Sequence, residues 1–153
     1  MKTVADSEVR FVKQLIPTRS KPAGRMLAGD LMQVMYDAAH KVAHKHSGTD
    51  VTAVKVDEMV FLHPLHKGNA LTVHAFLTFV GKSSMEVAVK VSVSDLPRNE
   101  EALTAYFVMV ALNEQRPTPV LPLQLATEAE KARFAEGQRR YNSRRKPTGI
   151  HNG

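Results

Sequence analysis

The sequence predicts one α+β domain in which an antiparallel β-sheet wraps around a single long central helix, with a charged helical tail behind it. Three observations predict this. Apolar residues recur at helical spacing over one long stretch, from Gly29 to about His46. Strand-like alternation then runs from Val51 to Leu112, and Pro117, Pro119 and Pro122 close that stretch ahead of a charged segment. On this reading residues 1–125 hold the sheet and its helix, and residues 126–153 form a tail that belongs to the same domain.

Each element has its own signal. Val9 to Ile16 is a short apolar-rich run stopped by Pro17, and the Ser, Pro and Gly of Thr18 to Gly24 read as a loop. Between Gly29 and His46 the apolar positions are Leu31, Met32, Val34, Met35, Ala38, Ala39, Val42 and Ala43, with Gly48 beyond them as a stop. So wide an apolar face implies enclosure on more than one side. Val51 to Leu62 is rich in β-branched residues, and its apolar phase shifts near Asp57 and Glu58, the mark of a bulge or of burial on both faces. Ala70 to Val80 places Leu71, Val73, Ala75, Leu77 and Phe79 on one side and Thr72, His74 and Thr78 on the other. Met85, Val87, Val89, Val91 and Val93 alternate against Glu86, Lys90 and Ser92, and Ala102 to Leu112 is apolar at nearly every position, as a strand covered on both faces would be. Gly68 with Asn69, Gly81 with Lys82, and Pro97 to Asn99 punctuate the strands at hairpin-like intervals. Ala126 to about Arg145 reads as a charged surface helix or partly frayed tail, with Phe134 and Tyr141 as its large apolar side chains and Gly137 weakening its middle.

Composition narrows the function. The 153 residues are 43% hydrophobic and 24% charged, enough for one core under an ordinary surface. No run approaches the roughly 20 apolar residues of a membrane helix, and Met1 to Arg10 has no signal-peptide core, so a cytoplasmic protein without membrane contact is expected. The absence of cysteine excludes disulfides, thiolate metal sites and a cysteine nucleophile. The net charge of +6 is concentrated in Arg139, Arg140, Arg144, Arg145 and Lys146, which suits an anionic ligand. His40 and His44 are four apart on the helix, with His46 nearby, but Lys41-Val42-Ala43 lacks the Glu of a zinc protease motif, and no metal site is expected.

The run from Val51 through Val56-Asp57, Phe61-Leu62-His63-Pro64 and Gly68 resembles the strand signature of the cytosolic acyl-CoA hydrolase family, and Val80-Gly81-Lys82-Ser83-Ser84-Met85-Glu86-Val87 resembles that family's next hairpin. The resemblance covers about residues 9–146. It implies a hotdog fold and hydrolysis of acyl-CoA to the free acid and coenzyme A, with no separate cofactor and with active sites at a dimer interface. Gly24-Arg25-Met26-Leu27-Ala28-Gly29 matches the frame of the family's glycine motif, although Lys21 and Arg25 stand where a polar amide or acid is usual and Tyr36 stands at the helical acid position.

Thioester hydrolysis needs a polarised carbonyl, an activated water or nucleophile, and a route out for the thiolate. Backbone N–H groups at Ala28, Gly29 and Asp30 would point at the thioester oxygen, and Gly29 would let the acyl chain approach the backbone closely. Asp37 and Asp30 are the candidate carboxylates. Asp30 at a helix start equally suits capping, and Asp37 equally suits an exposed helix face, about 100° round from Tyr36. Tyr36 could orient a water or simply pack. The resemblance places Lys82, Ser83 and Ser84 near the pantetheine and phosphates of coenzyme A, where a polar turn is the plainer alternative, and Arg25 could pair with a phosphate. His63 is expected to be structural.

An open sheet edge and an uncovered helix mouth call for self-association, with a dimer as the minimum unit and tetramers or hexamers as further assemblies. Two rival readings differ in class. A hotdog domain that binds acyl-CoA as a sensor without turnover fits the departures at Lys21, Arg25 and Tyr36. Nucleic-acid binding through the arginine-rich tail is not expected, because no recognition helix, stacking platform or zinc motif accompanies the charge.

Overall fold

The computed structural model describes residues 2–14, 28–62, 70–93 and 100–145. In chain order the elements are β1 (Lys2–Thr3), α1 (Val4–Ser7), β2 (Val9–Gln14), α2 (Ala28–Ser47), β3 (Asp50–Phe61), β4 (Ala70–Val80), β5 (Ser84–Val93), β6 (Glu100–Asn113), β7 (Arg116–Pro117), β8 (Leu123–Gln124) and α3 (Glu128–Arg145). The main sheet runs β2-β4-β5-β6-β3, antiparallel throughout, with β7 hairpinned onto β6; β1 and β8 form a separate parallel pair.

The sheet curls around α2 because α2 is apolar over most of its circumference. Leu31, Met35, Ala38, Ala39, Val42 and Ala43 are fully buried against the inner residues Leu71, Val73, Ala75 and Leu77 of β4, Met85, Val87, Val89 and Val91 of β5, and Leu103, Ala105, Phe107 and Met109 of β6. This is the hotdog arrangement. Gly48 ends the helix at φ 71°, its N–H donating to the His44 carbonyl at 2.8 Å, a left-handed cap that glycine adopts without a Cβ clash.

Two details of the strand pattern differ from expectation. β3 pairs with β6 and not with β4, so Gly68 and Asn69, which lie outside the described residues, do not join two neighbouring strands as a hairpin would. In β4 the register slips between Leu77 and Phe79, which sets Phe79 opposite Glu86. That slip turns Phe79 out of the helix-facing row and against Phe134 and Tyr141 of α3, with ring centroids 4.9 and 5.1 Å away.

The charged tail is consequently a packed helix over its described length. Arg140 reaches down to Glu86, whose side chain is 0% exposed, through Nε at 2.9 Å and Nη2 at 2.9 Å, a bidentate pair that the Thr78 hydroxyl completes at 2.6 Å. Arg144 binds Asp57 at 2.7 Å and lies 3.8 Å from Glu86. The Arg140 guanidinium also stacks 3.8 Å from the Tyr106 ring centroid. Gly137 belongs to this contact: a Cβ there would lie 2.7 Å from Phe79 Cβ and 2.9 Å from Glu86 Oε1, so glycine permits the approach at some cost in helix propensity.

In the N-terminal segment, Thr3 and Asp6 form a capping box on α1, and Lys2 Nζ donates to the Lys45 carbonyl at 2.6 Å. His46, fully buried near this corner, donates from Nε2 to the Leu121 carbonyl at 2.8 Å, while its Nδ1 is buried without a hydrogen-bond partner among the described residues. Burial holds the imidazole below its ordinary pKa of 6.5, against the opposing pull of the Leu121 bond. The folded state therefore binds this proton less readily than the unfolded chain. The stability His46 leaves intact above about pH 6.5 is lost as pH falls from there toward the depressed folded value. Thermal midpoints measured from pH 7.5 to pH 5 should fall further for the wild type than for His46→Gln, whose amide keeps the donor to Leu121 but does not titrate. Parallel curves would assign the acid sensitivity elsewhere.

Candidate active site

The N-terminal turn of α2 supplies the chemistry that a carbonyl oxygen recognises. The first amides of a helix have no intrahelical acceptor, and the peptide dipoles add about half a positive charge at that end. Ala28, Gly29 and Asp30 provide those amides, and the half-buried Asp30 stands in the first turn. Leu31 and Met35 below them anchor the turn in the core.

Further along the helix the candidates separate by face. Tyr36 is half-buried against the core, with its ring 5.9 Å from that of His40, which stacks on His44 at 6.2 Å. Asp37 lies on the exposed side and accepts a hydrogen bond from Gln33 Nε2 at 2.9 Å. From Gly29 to Asp37 the helix advances about 12 Å at 1.5 Å per residue, so within one protomer this carboxylate does not share the space in front of the first turn. Among the described residues no three or more His, Cys, Asp or Glu side chains are grouped to hold a metal ion.

The β4–β5 hairpin lies at the opposite end of α2. Gly81 N–H donates to the Ser84 carbonyl at 2.8 Å and closes the turn; Val120 N–H donates to the Lys82 carbonyl at 2.8 Å, and Ala111 N–H to the Ser83 carbonyl at 2.9 Å. The next residue, Leu121, accepts the bond from His46, which ties this hairpin to the last turn of the helix. Gly29 and the last residue of α2 are about 27 Å apart at 1.5 Å per residue, so one protomer does not bring Gly29 together with Lys82, Ser83 and Ser84. Lys82 is exposed, and Ser83 and Ser84 are half-buried. Lys21, Arg25 and His63 lie outside the described residues.

Sequence reasoning missed the roles of Asp57, Glu86, Arg140 and Arg144. The two acids lie in the segments that carry the resemblance, yet both side chains bind α3 on the outer face of the sheet. The signal was present: a lone carboxylate within an apolar strand, and two arginines spaced four apart so that they share one helix face. Arg140 and Arg144 are thus held by carboxylates against the sheet, while Arg139 of the same helix is exposed.

Comparison with known proteins gives a consistent picture. The sequence model described as "Thioesterase superfamily" matches residues 23–97. The cytosolic acyl coenzyme A thioester hydrolase of Rattus norvegicus is 33% identical over 144 residues, 91% of this chain but 38% of that protein, so the chain spans well under half the length of this curated relative. Among solved structures, the acyl-CoA hydrolase of Staphylococcus aureus in complex with butyryl coenzyme A, coenzyme A and coenzyme A disulfide superimposes with a TM-score of 0.82 at 28% identity, covering 94% of this chain and 87% of that one. An apo-hexameric acyl-CoA thioesterase superimposes with a TM-score of 0.84 at 26% identity, covering 94% and 96%.

Proposed function

Because the chain belongs to the thioesterase superfamily, we propose that it hydrolyses acyl-CoA thioesters to the free acid and coenzyme A. The observation that carries this reading is α2 itself, an apolar rod enclosed by an antiparallel sheet with its amide end at Gly29. In the proposed reaction the thioester oxygen sits at the Ala28–Asp30 amides, which stabilise negative charge as a tetrahedral intermediate forms. A carboxylate takes the proton from the attacking water, the carbon–sulfur bond breaks, and the proton passes to the departing thiolate of coenzyme A.

The separation of Gly29 from Asp37 and from the Lys82 hairpin supports an assembly in which these groups meet across subunits. β3 ends the sheet order, and Val54 (59%) and Val60 (57%) within it and Leu62 (56%) just beyond it are exposed, an apolar edge suited to pairing with a second copy. We therefore read the functional unit as at least a dimer, with Asp37 of one copy serving the helix terminus of the other. Lys82, Ser83 and Ser84 are assigned to the pantetheine and phosphates, and Arg25 to a phosphate. No described helix is long and apolar enough to cross a membrane, and a cytoplasmic location is proposed from the cytosolic relative.

Purified protein incubated with acyl-CoAs from acetyl to palmitoyl should release free thiol from at least one chain length. Stabilisation of the fold by coenzyme A with no thiol released from any of them would replace hydrolysis with the binding-only reading, which Tyr36 at the helical acid position favours.

A further inference from the structure

Asp57 occupies a mechanical position in β3. It pairs with Tyr106, and the next registered pair is Val60 with Thr104, so β3 spends one residue more than β6 between them. Such a bulge sets both the twist of a strand and the side to which every later residue points, because side chains alternate with period two. Losing the extra residue from the pairing would shift the register beyond it by one and reverse Val60 and Leu62, which lie past it on the exposed edge. The Asp57 carboxylate is held at 2.7 Å by Arg144 and at 3.4 Å by Lys55, and the Asp57 and Arg144 side chains are only 17% and 14% exposed. Arg144 is in turn positioned by α3, which the Arg140–Glu86 pair and the Phe79 contacts dock on the same sheet.

We infer that α3 is a splint for assembly: by gripping Asp57, Arg144 keeps the β3 bulge in place and so shapes the edge along which a second copy of this chain pairs. This rests on the homo-oligomeric reading above and adds the residue that controls it. Arg144 is a positioning residue. Its ion-pair partners are Asp57 and Glu86, and its effect on hydrolysis passes through the subunit interface.

The test uses the full chain, comparing wild type, Arg144→Gln and Arg144→Lys by analytical ultracentrifugation over a protein dilution series. Thiol release per protomer is followed over the same series, and far-UV circular dichroism checks the fold. Arg144→Gln is expected to keep its secondary structure, to dissociate at a protein concentration at least about tenfold above wild type, and to lose activity on dilution and regain it on concentration; Arg144→Lys should fall between. A purely structural residue would change the melting curve but not make specific activity depend on concentration. An Arg144→Gln protein that assembles like wild type with dilution-independent activity overturns the inference, as does a wild type that is monomeric throughout. Should Arg144→Gln fail to fold, Asp57→Asn removes the same grip from the strand side and is read the same way. Wild type that assembles but releases no thiol would refute the hydrolysis reading while leaving the ultracentrifugation result to judge the splint.

Discussion

Asp37→Asn is expected to lower turnover of the best acyl-CoA substrate on the order of 100-fold or more, with little change in KM, because general-base catalysis contributes factors of that size and the side chain makes no proposed contact with coenzyme A. Asparagine is the informative replacement. Its amide oxygen still accepts from Gln33 Nε2, so the helix surface around residue 37 should be undisturbed and the loss reports the missing charge. Asp30→Asn should cost less, on the order of tenfold or below, since a first-turn carboxylate chiefly answers the helix dipole. The distance along α2 adds a second expectation. If Asp37 serves the helix terminus of another copy, mixing inactive Asp37→Asn protein with inactive Gly29→Val protein should restore part of the activity, because some mixed assemblies hold one intact site. Wild-type turnover in Asp37→Asn would remove this residue from the chemistry and return the role to Asp30.

How much of this was legible in the sequence depended on whether each feature is local. The bounds of the Ala70–Val80 strand were readable because its alternation is regular in sequence, and α2 was readable because its wide apolar face and the Gly48 stop both lie within one segment. The phase change near Asp57 pointed to the bulge that β3 contains. Phe79 went astray because a register slip at Thr78 is decided by its partner strand. The link through Gly68 failed as a hairpin for the same kind of reason, since nothing local shows that β3 leaves its neighbour in sequence to pair with β6. β1 and β8 have only two residues each and no pattern to detect, although Thr3 and Asp6 did offer a capping box. The amide end at Gly29 could be placed from local pattern, whereas the position of Lys82 beside the other end of the helix is a tertiary fact carried by Val120 and Leu121.

The largest expected effect on stability is at Glu86. Glu86→Ala should destabilise the fold by about 3–5 kcal/mol, because removing the buried carboxylate strips two charge-assisted bonds from a guanidinium that is only 19% exposed. For a chain of this size that lowers the thermal midpoint by roughly 10–15 °C. Arg140 would lose both of its bonds to the carboxylate, Thr78 Oγ1 would lose the Oε1 acceptor while keeping the Glu86 backbone carbonyl, and Arg144 would lose a neighbour at 3.8 Å. The size of this loss is not the worth of the pair, because desolvation of two charges offsets most of their attraction. Glu86→Leu combined with Arg140→Met should accordingly recover most of the stability: the leucine fills the apolar outer face, and the methionine keeps contact with the Tyr106 ring. Chemical denaturation of wild type, both single variants and the double variant gives the coupling energy directly. A double variant no more stable than Glu86→Ala would mean that the ion pair is needed for specific docking of α3, and that its polar geometry, more than the apolar contacts of Phe79, holds the helix against the sheet.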